Sequence, residues 1–319
     1  SQGRVWNAKR IKIRMKNTSG LDGGMRMVNV GLVLEGGGMK GVYTAGVLDY
    51  FIEKDLYFQR CYGVSAGACN LCSYISKQKE RAFRVTVDYL EDKNYCSLHS
   101  LFTTGDLFNV DMCYNKIPNE LDFYDYKEAA RYEGDVYAVV TNIRTGKPEY
   151  MPLRELHRDI IAVRASASLP LLSRNVKIGS EYYLDGGISD AVPIRKAVAD
   201  GIAVQNASNS VIKNVVVLTK EEGYIRKPAS KLNLALLRLR YSKYPKIYKL
   251  IANRHTRYNE TLRFLEQEQQ AGRAFVIRPK ENHEIGRIEK DRKKLEAFYQ
   301  LGYQDAKNCF SDLVDFLHR

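Results

Sequence analysis

Two strand–turn–helix junctions within residues 31–68 constrain this chain more than any other feature. The segment reads GLVLEGGGMKGVYTAGVLDYFIEKDLYFQRCYGVSAGA. At each junction an apolar run ends in a glycine turn, and a helix-compatible stretch follows. Turns of this kind point backbone N–H groups and one side chain away from the carboxyl end of a sheet. The first turn therefore offers amides for an anion, and the second offers a serine.

The second turn, at residues 63–67, has the pattern G-x-S-x-G, with Gly63, Ser65 and Gly67 at the defined positions. The bend around such a serine is so tight that side chains on either flank would clash. The helix that we expect next would place free N-terminal amides beside the Ser65 hydroxyl. This is the setting of an activated nucleophile, although short patterns of small residues also occur by chance.

The first turn contains three consecutive glycines, Gly36, Gly37 and Gly38. An acyl-transfer transition state places negative charge on the former carbonyl oxygen, and preorganised N–H donors stabilise that charge. Glycine amides can approach such an oxygen closely because no Cβ intervenes. The turn is therefore a candidate oxyanion loop.

A second interpretation of the first turn is nucleotide binding. Residues 36–41 also satisfy the dinucleotide fingerprint G-x-G-x-x-G, and Glu53 or Asp55 lies near the spacing of a ribose-binding acid. The phosphate-binding loop G-x-x-x-x-G-K-[ST] does not fit, because Val42 and Tyr43 follow Gly41. A lone G-x-G-x-x-G is a weak signal, so both interpretations stay open at this point.

A third motif lies far downstream, where a short apolar segment ends in Asp185-Gly186-Gly187. A carboxylate at the end of a strand can reach into a cleft between loops, and nucleotide binding does not require one there. The three motifs in this order resemble those of the patatin-like phospholipase family, over residues 29–219. The set of three is far more specific than any one of them.

The resemblance implies a serine lipid acyl hydrolase that uses no cofactor and no metal. Ser65 matches the nucleophile, and Asp185 matches its partner in a Ser–Asp dyad without histidine. Gly36, Gly37 and Gly38 match the oxyanion loop, and Lys40 stands where the family has Arg or Lys. The glycines that support these motifs are Gly41, Gly63, Gly67, Gly186 and Gly187.

Two local features qualify the resemblance. Residues 165–170 (ASASLP) resemble the Ala-Ser-rich segment that precedes the aspartate strand in the family. Members often carry Asn two residues before the proline that follows Asp-Gly-Gly, but here Ala191 precedes Val192-Pro193. Ser189 or Asp190 is the candidate to hold that loop in its place.

A Ser–Asp dyad places a physical demand on its carboxylate. In a catalytic triad the acid only orients a histidine, whereas here Asp185 has to accept the serine proton. An aspartate with a pKa of about 3.9 in water is a poor base, so burial away from cations has to raise that pKa. We therefore expect Lys40 to face outward, toward the loop or a lipid head group, and not to pair with Asp185.

Charge and cysteine content narrow the partners and the compartment. The chain has 50 Lys and Arg against 37 Asp and Glu, a net charge of +13, which favours contact with an anionic membrane surface or nucleic acid. No nucleic-acid-binding module is recognisable, so we expect no specific nucleic acid partner. The six cysteines accompany no secretory signal, which predicts a reduced, cytoplasmic protein. Together with the net positive charge, this predicts peripheral association with the inner face of the membrane.

The chain divides into three predicted regions. Residues 1–26 are strongly basic and read as a disordered leader, and residues 27–222 form the patatin-like catalytic core. Residues 223–319 form a mainly helical, basic region packed on that core. Strands that alternate with helices predict an α/β protein, in which a mostly parallel central sheet lies between helices in three layers.

Residues 223–259 contain ten Lys or Arg residues and no acid, with tyrosines among them. Basic groups with amphipathic rings suit an interfacial segment on anionic lipid, and nothing in this region is long and apolar enough to span a bilayer. The alternative is a set of solvated helices whose aromatic side chains pack inward. A similar alternative applies to residues 94–119, which are either a lid or acyl-chain pocket wall, or an ordinary irregular loop.

The five histidines form no ligand-spaced cluster, so we assign them no chemistry. A competing hypothesis is an esterase with a conventional triad that uses His255 or His283. A dinucleotide-binding protein and a catalytically silent lipid-binding module are the candidates from other classes.

Overall fold

A mixed eight-stranded sheet runs through the residues that the computed structural model describes, 27–205 and 211–319. The predicted leader, residues 1–26, lies outside the described residues. The sheet order is β5-β6-β3-β2-β1-β7-β8, with β4 also paired to β3. Strands β3, β2, β1, β7 and β8 are parallel neighbours, whereas β4 and β6 pair antiparallel with β3, and β5 with β6. The strands are β1 (Met27–Leu34), β2 (Tyr57–Val64), β3 (Asp135–Asn142), β4 (Pro148–Pro152), β5 (Val176–Ile178), β6 (Glu181–Asp185), β7 (Asn214–Val217) and β8 (Ala274–Ile277).

Both faces of the central strands are buried. In β1, Leu32 and Leu34 pack into one apolar cluster, and Val33 between them packs into another on the opposite face. Cys61 and Tyr62 of β2 divide between the same two clusters. Because neither face meets water, these strands read as continuous apolar runs without polar alternation.

Helices cover the two faces and complete three α/β/α layers, so the predicted fold is confirmed. Helices α1, α2 and α11 contribute to the first cluster, and α7 and α10 contribute to the second. The helices are α1 (Gly41–Glu53), α2 (Ala66–Ile75), α3 (Arg81–Val87), α4 (Leu98–Thr104), α5 (Tyr126–Ala130), α6 (Leu156–Ser166), α7 (Ile194–Gln205), α8 (Lys231–Arg240), α9 (Pro245–Ala252), α10 (Arg254–Gln270) and α11 (Arg292–His318). A π-helical segment, Met112–Leu121, precedes α5.

The C-terminal region is built into the same body as the rest of the chain. Strand β8 extends the sheet beside β7, and α11 packs along α1. Gly46 and Gly302 lie where α1 and α11 cross, because a Cβ at either would run into the backbone of the other helix. Asp291 caps α11 by accepting hydrogen bonds from the N–H groups of Lys293 and Lys294.

The sequence pattern predicts a short nucleophile strand near residues 60–62, one helix over residues 79–90 and several helices from residue 289 to residue 317, and the structure differs at all three. The nucleophile strand, predicted near residues 60–62, is the eight-residue β2, because Tyr57 and Phe58 are also buried in the core. The helix predicted for residues 79–90 is only α3, since the chain turns after Asp88. The helices predicted from residue 289 to residue 317 are the single helix α11.

Within the two described ranges, no helix combines the length and hydrophobicity required to traverse a bilayer.

Candidate active site

Ser65 occupies a strained bend between the end of β2 and the start of α2. Its backbone has φ 55° and ψ −120°, a sparsely populated conformation for a residue with a side chain, which costs about 1–3 kcal/mol. A Cβ at Gly63 would lie 2.7 Å from the backbone of Ala68, and one at Gly67 would lie 2.6 Å from the Leu34 carbonyl oxygen. The two flanking glycines are therefore required by contact on both sides of the bend.

Ser166, at the end of α6, holds this bend in place. Its hydroxyl accepts a hydrogen bond of 2.8 Å from the Ser65 N–H and donates one of 2.6 Å to the Val139 carbonyl oxygen. The side chain is completely buried. Sequence reasoning noted the Ala-Ser-rich segment that contains Ser166 but gave this residue no role.

Asp185 ends β6 with one oxygen bonded and the other unsatisfied. Its Oδ1 accepts a 2.7 Å hydrogen bond from the Gly187 N–H, whereas its Oδ2 has no partner among the described residues. Burial raises the pKa of Asp185. The Ser65 hydroxyl, the Gly187 N–H and two arginine side chains oppose that rise.

Ser65 and Asp185 line one cavity, but their side chains do not complete a hydrogen bond in this conformation. The hydroxyl is nevertheless close enough to lower the pKa of the carboxyl group. Hydrogen bonds between catalytic groups are often long in the absence of substrate, and they shorten when it binds. The unsatisfied Oδ2 is the atom that such a bond would engage.

Side chains hold the loop after Asp185 where many family members use asparagine. The Thr141 hydroxyl donates to the Asp185 carbonyl oxygen at 2.8 Å and also contacts the Ser189 hydroxyl at 2.7 Å. Asp190 accepts a 2.5 Å hydrogen bond from the Tyr150 hydroxyl, and its N–H donates to the Gly186 carbonyl oxygen at 2.9 Å. Both candidates for holding this loop, Ser189 and Asp190, therefore contribute.

The glycine loop presents free amides beside Ser65. The N–H groups of Gly36, Gly37 and Gly38 donate to no acceptor in the described part of the chain. A Cβ at Gly36 would lie 2.9 Å from the Ser65 Cβ, so this loop and the serine bend are in direct contact. Gly37 (φ 147°) and Gly38 (φ 59°) adopt positive φ values that residues with side chains disfavour.

Residues from the C-terminal half anchor the glycine loop. Arg287 accepts a 2.9 Å backbone hydrogen bond from the Met39 N–H. The Thr219 hydroxyl donates to the Gly36 carbonyl oxygen at 2.6 Å. The buried Glu35 accepts from the Thr219 N–H at 2.8 Å and from the Tyr258 hydroxyl at 2.5 Å. Sequence reasoning missed these anchors, because no motif marks residues so distant in the chain.

The cavity that contains Ser65, Asp185 and the glycine loop is strongly basic, and we call it the cationic cavity. Its charged lining consists of Glu35, Asp185, Lys40, Lys220, Arg226, Arg254 and Arg287. Lys40 is half-buried here and forms no salt bridge with Asp185. The sequence predicts the basic side chains of residues 223–259 either at a membrane surface or on solvated helices, but Arg226 and Arg254 line this cavity.

A second, largely apolar cavity adjoins the first, and its volume is about 190 Å³. Gly38, Ser65 and Leu169 line both cavities. Residues 94–119 contribute much of its wall, as the pocket-wall interpretation expected: Tyr95, Phe108, Cys113, Tyr114, Ile117 and Pro118. By comparison, an apolar cavity of about 150 Å³ holds a benzene molecule.

Comparison with known proteins decides the family. The model of the patatin-like phospholipase family matches residues 32–198, which is more than half of the chain. This chain belongs to the patatin-like phospholipase family. A domain of unknown function (DUF6363) matches residues 244–318 of the same patatin-like chain.

Individual relatives match about half of this chain. The uncharacterized protein YjjU of Escherichia coli (strain K12) is 31% identical over 177 residues, 54% of this chain and 49% of that protein. The probable lipid hydrolase 463L of Invertebrate iridescent virus 6 is 26% identical over 187 residues, 52% of this chain and 62% of that protein. The chain thus spans less than two thirds of either relative. VipD from Legionella pneumophila aligns with a TM-score of 0.41 and 13% identity over 94% of this chain and 72% of that structure, a likeness too weak to support an argument.

The fold of this patatin-like protein does not place a ribose-binding acid beside the glycine loop. The loop follows the carboxyl end of β1. Glu53 and Asp55 lie at the far end of α1, beside the amino-terminal ends of the parallel strands. A 13-residue helix is about 20 Å long, so these carboxylates are too distant to share a ligand with the glycine amides. Glu53 instead accepts hydrogen bonds from Lys79 and Tyr303.

The histidines do not line the cavities that contain Ser65 and Asp185. All five are among the described residues, and none of them lines the cationic or the apolar cavity. His157 stacks on Tyr126, and His283 packs near Phe298. Within the described ranges, no group of three His, Cys, Asp or Glu side chains is placed to share a metal ion.

Proposed function

We propose that this protein hydrolyses carboxylic ester bonds of lipids through an acyl-Ser65 intermediate. The observation that carries the proposal is the position of Ser65, which lines both cavities. Asp185, whose Oδ2 is unsatisfied, lines the cationic cavity together with Ser65. Membership of the patatin-like phospholipase family supports the same chemistry. So does the likeness to a relative described as a probable lipid hydrolase.

The first half of the reaction forms the acyl-enzyme. Ser65 Oγ attacks the ester carbonyl carbon, and its proton passes to Asp185 Oδ2. The free N–H groups of the glycine loop stabilise the negative charge that appears on the carbonyl oxygen. Such donors are most effective when they are already in place before the reaction. The C–O bond then breaks, and the departing alkoxide takes the proton from Asp185.

Water completes the second half. Asp185 accepts a proton from a water molecule that attacks the acyl carbon, and the same amides stabilise the second oxyanion. The proton then returns to Ser65 Oγ as the fatty acid leaves. Burial of Asp185 supports both steps, because it raises the pKa of a carboxylate that would otherwise be a weak base.

The two cavities give the substrate an orientation. The apolar cavity is suited to the acyl chain, because its lining is mostly hydrophobic and aromatic. The cationic cavity is suited to the alcohol side of the ester, which includes the head group of a phospholipid. Ester substrates with a chain on one side and an anionic group on the other fit this arrangement.

Helix α8 is our candidate for contact with an anionic membrane surface. Leu232, Leu236 and Leu239 are 72%, 48% and 78% exposed, although Leu237 of the same helix is buried. Lysine and arginine side chains are interspersed with these leucines and follow the helix: Lys231, Arg238, Arg240 and Lys243. Exposed apolar groups among basic ones are typical of an interfacial helix. By contrast Tyr241 and Tyr258 are buried, so these aromatic rings do not belong to the surface.

A hydrolysis assay on a panel of lipid esters tests the proposed chemistry. Wild type is compared with Ser65→Ala, Asp185→Asn and the control Ser180→Ala, whose serine lies exposed in the β5–β6 turn. We expect near-complete loss in the first two variants and wild-type rates in the control. Replacement of each histidine should leave activity in place. Loss of activity on replacing His255 or His283 would favour the conventional triad instead.

Vesicle flotation tests the membrane surface separately. Binding should rise with the fraction of anionic lipid and fall with salt. Replacing the three exposed leucines of α8 with serine should weaken binding, while hydrolysis of a water-soluble ester stays unchanged. Binding that ignores lipid charge would refute this part of the proposal.

A further inference from the structure

The cationic cavity holds far more positive than negative charge. Its lining includes five cationic side chains, those of Lys40, Lys220, Arg226, Arg254 and Arg287, and only two acids. Three of the five are arginines that lie beyond the segment matched by the patatin-like family model. The excess charge is therefore contributed mainly by the C-terminal region of this chain.

No acid within the described residues forms a salt bridge with these five cations, although Arg254 and Arg287 lie close enough to Asp185 to oppose the rise that burial causes in its pKa. Within residues 27–205 and 211–319, the guanidinium groups of Arg254 and Arg287 also donate no hydrogen bond. Arg254 Nε is buried without an acceptor. Two of the cations lie over aromatic rings, Lys220 over Tyr224 and Arg226 over Tyr258.

Neither acid of the cavity forms a salt bridge with these cations. Both oxygens of Glu35 accept hydrogen bonds, from Tyr258 and from the Thr219 backbone. Asp185 lies beside Arg254 without pairing to it: a Cβ at Gly187 would lie 2.9 Å from Arg254 Nη2 and 3.0 Å from Asp185 Oδ1. The Arg254 guanidinium and the Asp185 carboxylate therefore both lie beside Gly187.

Burial and the crowding of these cations lower the pKa of two of them. Burial and the neighbouring Lys40 lower the pKa of Lys220 to about 8. Burial, with the neighbouring Arg226, also lowers the pKa of Arg254. An anion bound among these side chains would relieve that repulsion, because an opposite charge stabilises their protonated forms.

We propose that Arg226, Arg254 and Arg287 form a subsite for the phosphate of the substrate's head group, which selects net-anionic phospholipids over zwitterionic and neutral esters. The inference rests on the proposed function, because it places the phosphate on the alcohol side of the ester that Ser65 attacks. Guanidinium groups are suited to this ligand, since they bind phosphate oxygens in a planar, bidentate geometry.

Selection against zwitterionic head groups follows because neither acid of the described lining is available to an ammonium group. Both oxygens of Glu35 accept hydrogen bonds from the protein, and Asp185 serves Ser65 in the proposed reaction. An ammonium group of choline or ethanolamine would therefore meet the same arginines and lysines as the phosphate. Phosphatidic acid and phosphatidylglycerol present no such cation. Net-anionic phospholipids should therefore be the preferred esters.

The test uses short-chain lipids that stay monomeric, so that binding to a membrane surface does not contribute. The rates compared are kcat/KM for dihexanoyl phosphatidic acid, dihexanoyl phosphatidylcholine, dihexanoylglycerol and p-nitrophenyl butyrate. The variants are Arg254→Gln and Arg287→Gln, with Arg263→Gln as the matched control. Arg263 lies exposed on the same helix as Arg254 and lines neither cavity.

We expect wild type and Arg263→Gln to prefer the anionic lipid over the zwitterionic and neutral ones. In Arg254→Gln and Arg287→Gln the preference should fall by at least about tenfold, since a lost charge-assisted hydrogen bond has about that effect. Equal losses on anionic and neutral esters would overturn the subsite, as would a wild type without preference. If wild type cleaves none of the four esters, the proposed function itself fails.

A competition experiment separates a head-group site from a site for free phosphate. Glycerol 3-phosphate should inhibit hydrolysis of the anionic lipid competitively in wild type and much less in Arg254→Gln. It should also raise the melting temperature of wild type more than that of the variant. Inhibition by inorganic phosphate in a wild type that shows no preference for anionic lipids would assign the arginines to free phosphate and overturn the head-group subsite.

Discussion

Ser166→Ala should impair Ser65, the proposed nucleophile, although Ser166 lines neither cavity. The change removes the acceptor of the Ser65 N–H and the donor to the Val139 carbonyl oxygen. A buried backbone group left without a partner costs about 1–3 kcal/mol, so two of them should lower the free energy of unfolding by at least about 2 kcal/mol. The strained φ of Ser65 would also lose its support, because the 2.8 Å bond holds that residue's own backbone.

The expected kinetic effect of Ser166→Ala is on turnover. With the bend free to relax, kcat for a water-soluble ester should fall at least about tenfold, which corresponds to about 1.4 kcal/mol of lost transition-state stabilisation. KM should change little, because Ser166 lines neither cavity. Urea unfolding followed by circular dichroism gives the stability, and initial rates at saturating substrate give kcat.

Ser100→Ala is the matched control for this prediction. Ser100 is as buried as Ser166 and donates to the Asp106 carbonyl oxygen at 2.7 Å, but it has no contact with the site. It should lower stability and leave kcat unchanged. A wild-type kcat in folded Ser166→Ala, or an equal loss of kcat in Ser100→Ala, would refute the reasoning.

Three further outcomes follow from the same contacts. Burial raises the pKa of Asp185, and the proposed reaction needs the ionised carboxylate, so kcat/KM should fall as the pH drops through a pKa above about 3.9. The raised pKa of the folded state also means that the free energy of unfolding declines as the pH rises through this range. Asp185→Asn should therefore be more stable than wild type at pH 7, and a less stable variant in thermal melts would contradict this. Val85→Phe reduces the volume of the apolar cavity, so hydrolysis rates on a series of p-nitrophenyl esters should drop more for long than for short acyl chains. A uniform drop in rate would argue against acyl binding in this cavity. Tyr258→Phe leaves an oxygen of the buried Glu35 without its hydrogen bond and should lower the free energy of unfolding in urea by about 1–3 kcal/mol. Tyr224→Phe should lower it less, because the Tyr224 hydroxyl bonds no described residue. Equal losses would show that the hydrogen bond to Glu35 is unimportant.

The parts of the site that sequence could predict are local. The spacing of the glycines around Ser65 reflects contacts within a few residues of the bend and with the neighbouring strand. The sequence pattern therefore predicts the bend. The Asp-Gly-Gly motif behaves in the same way, because Gly187 supplies the N–H that Asp185 accepts. These motifs identified the family and predicted the three-layer fold.

The parts that sequence could not predict depend on distant packing. Arg287 and Tyr258 reach the glycine loop from the C-terminal region, and their separation from it exceeds 200 residues. Arg254 belongs to a basic stretch that suits a membrane surface, yet it lies at the start of α10 and lines the cavity. Charge density along the chain does not distinguish an exposed cation from a buried one.

The C-terminal region therefore acts as more than a cover for the patatin-like segment. It donates a strand to the sheet, anchors the glycine loop through a backbone bond to Met39, and lines the cavity beside Ser65 with arginines. Removing it would expose the face of α1 on which α11 packs. We expect the patatin-like segment to depend on this region for an assembled site.

Covalent labelling of Ser65 tests the central claim most directly. Wild type, Ser65→Ala and Asp185→Asn are incubated with a fluorophosphonate, and the adduct is counted by intact mass spectrometry and located by peptide mapping. One adduct on Ser65 in wild type, none in Ser65→Ala and much slower labelling in Asp185→Asn is the expected result. An unlabelled wild type, or an adduct that persists in Ser65→Ala, would contradict the account.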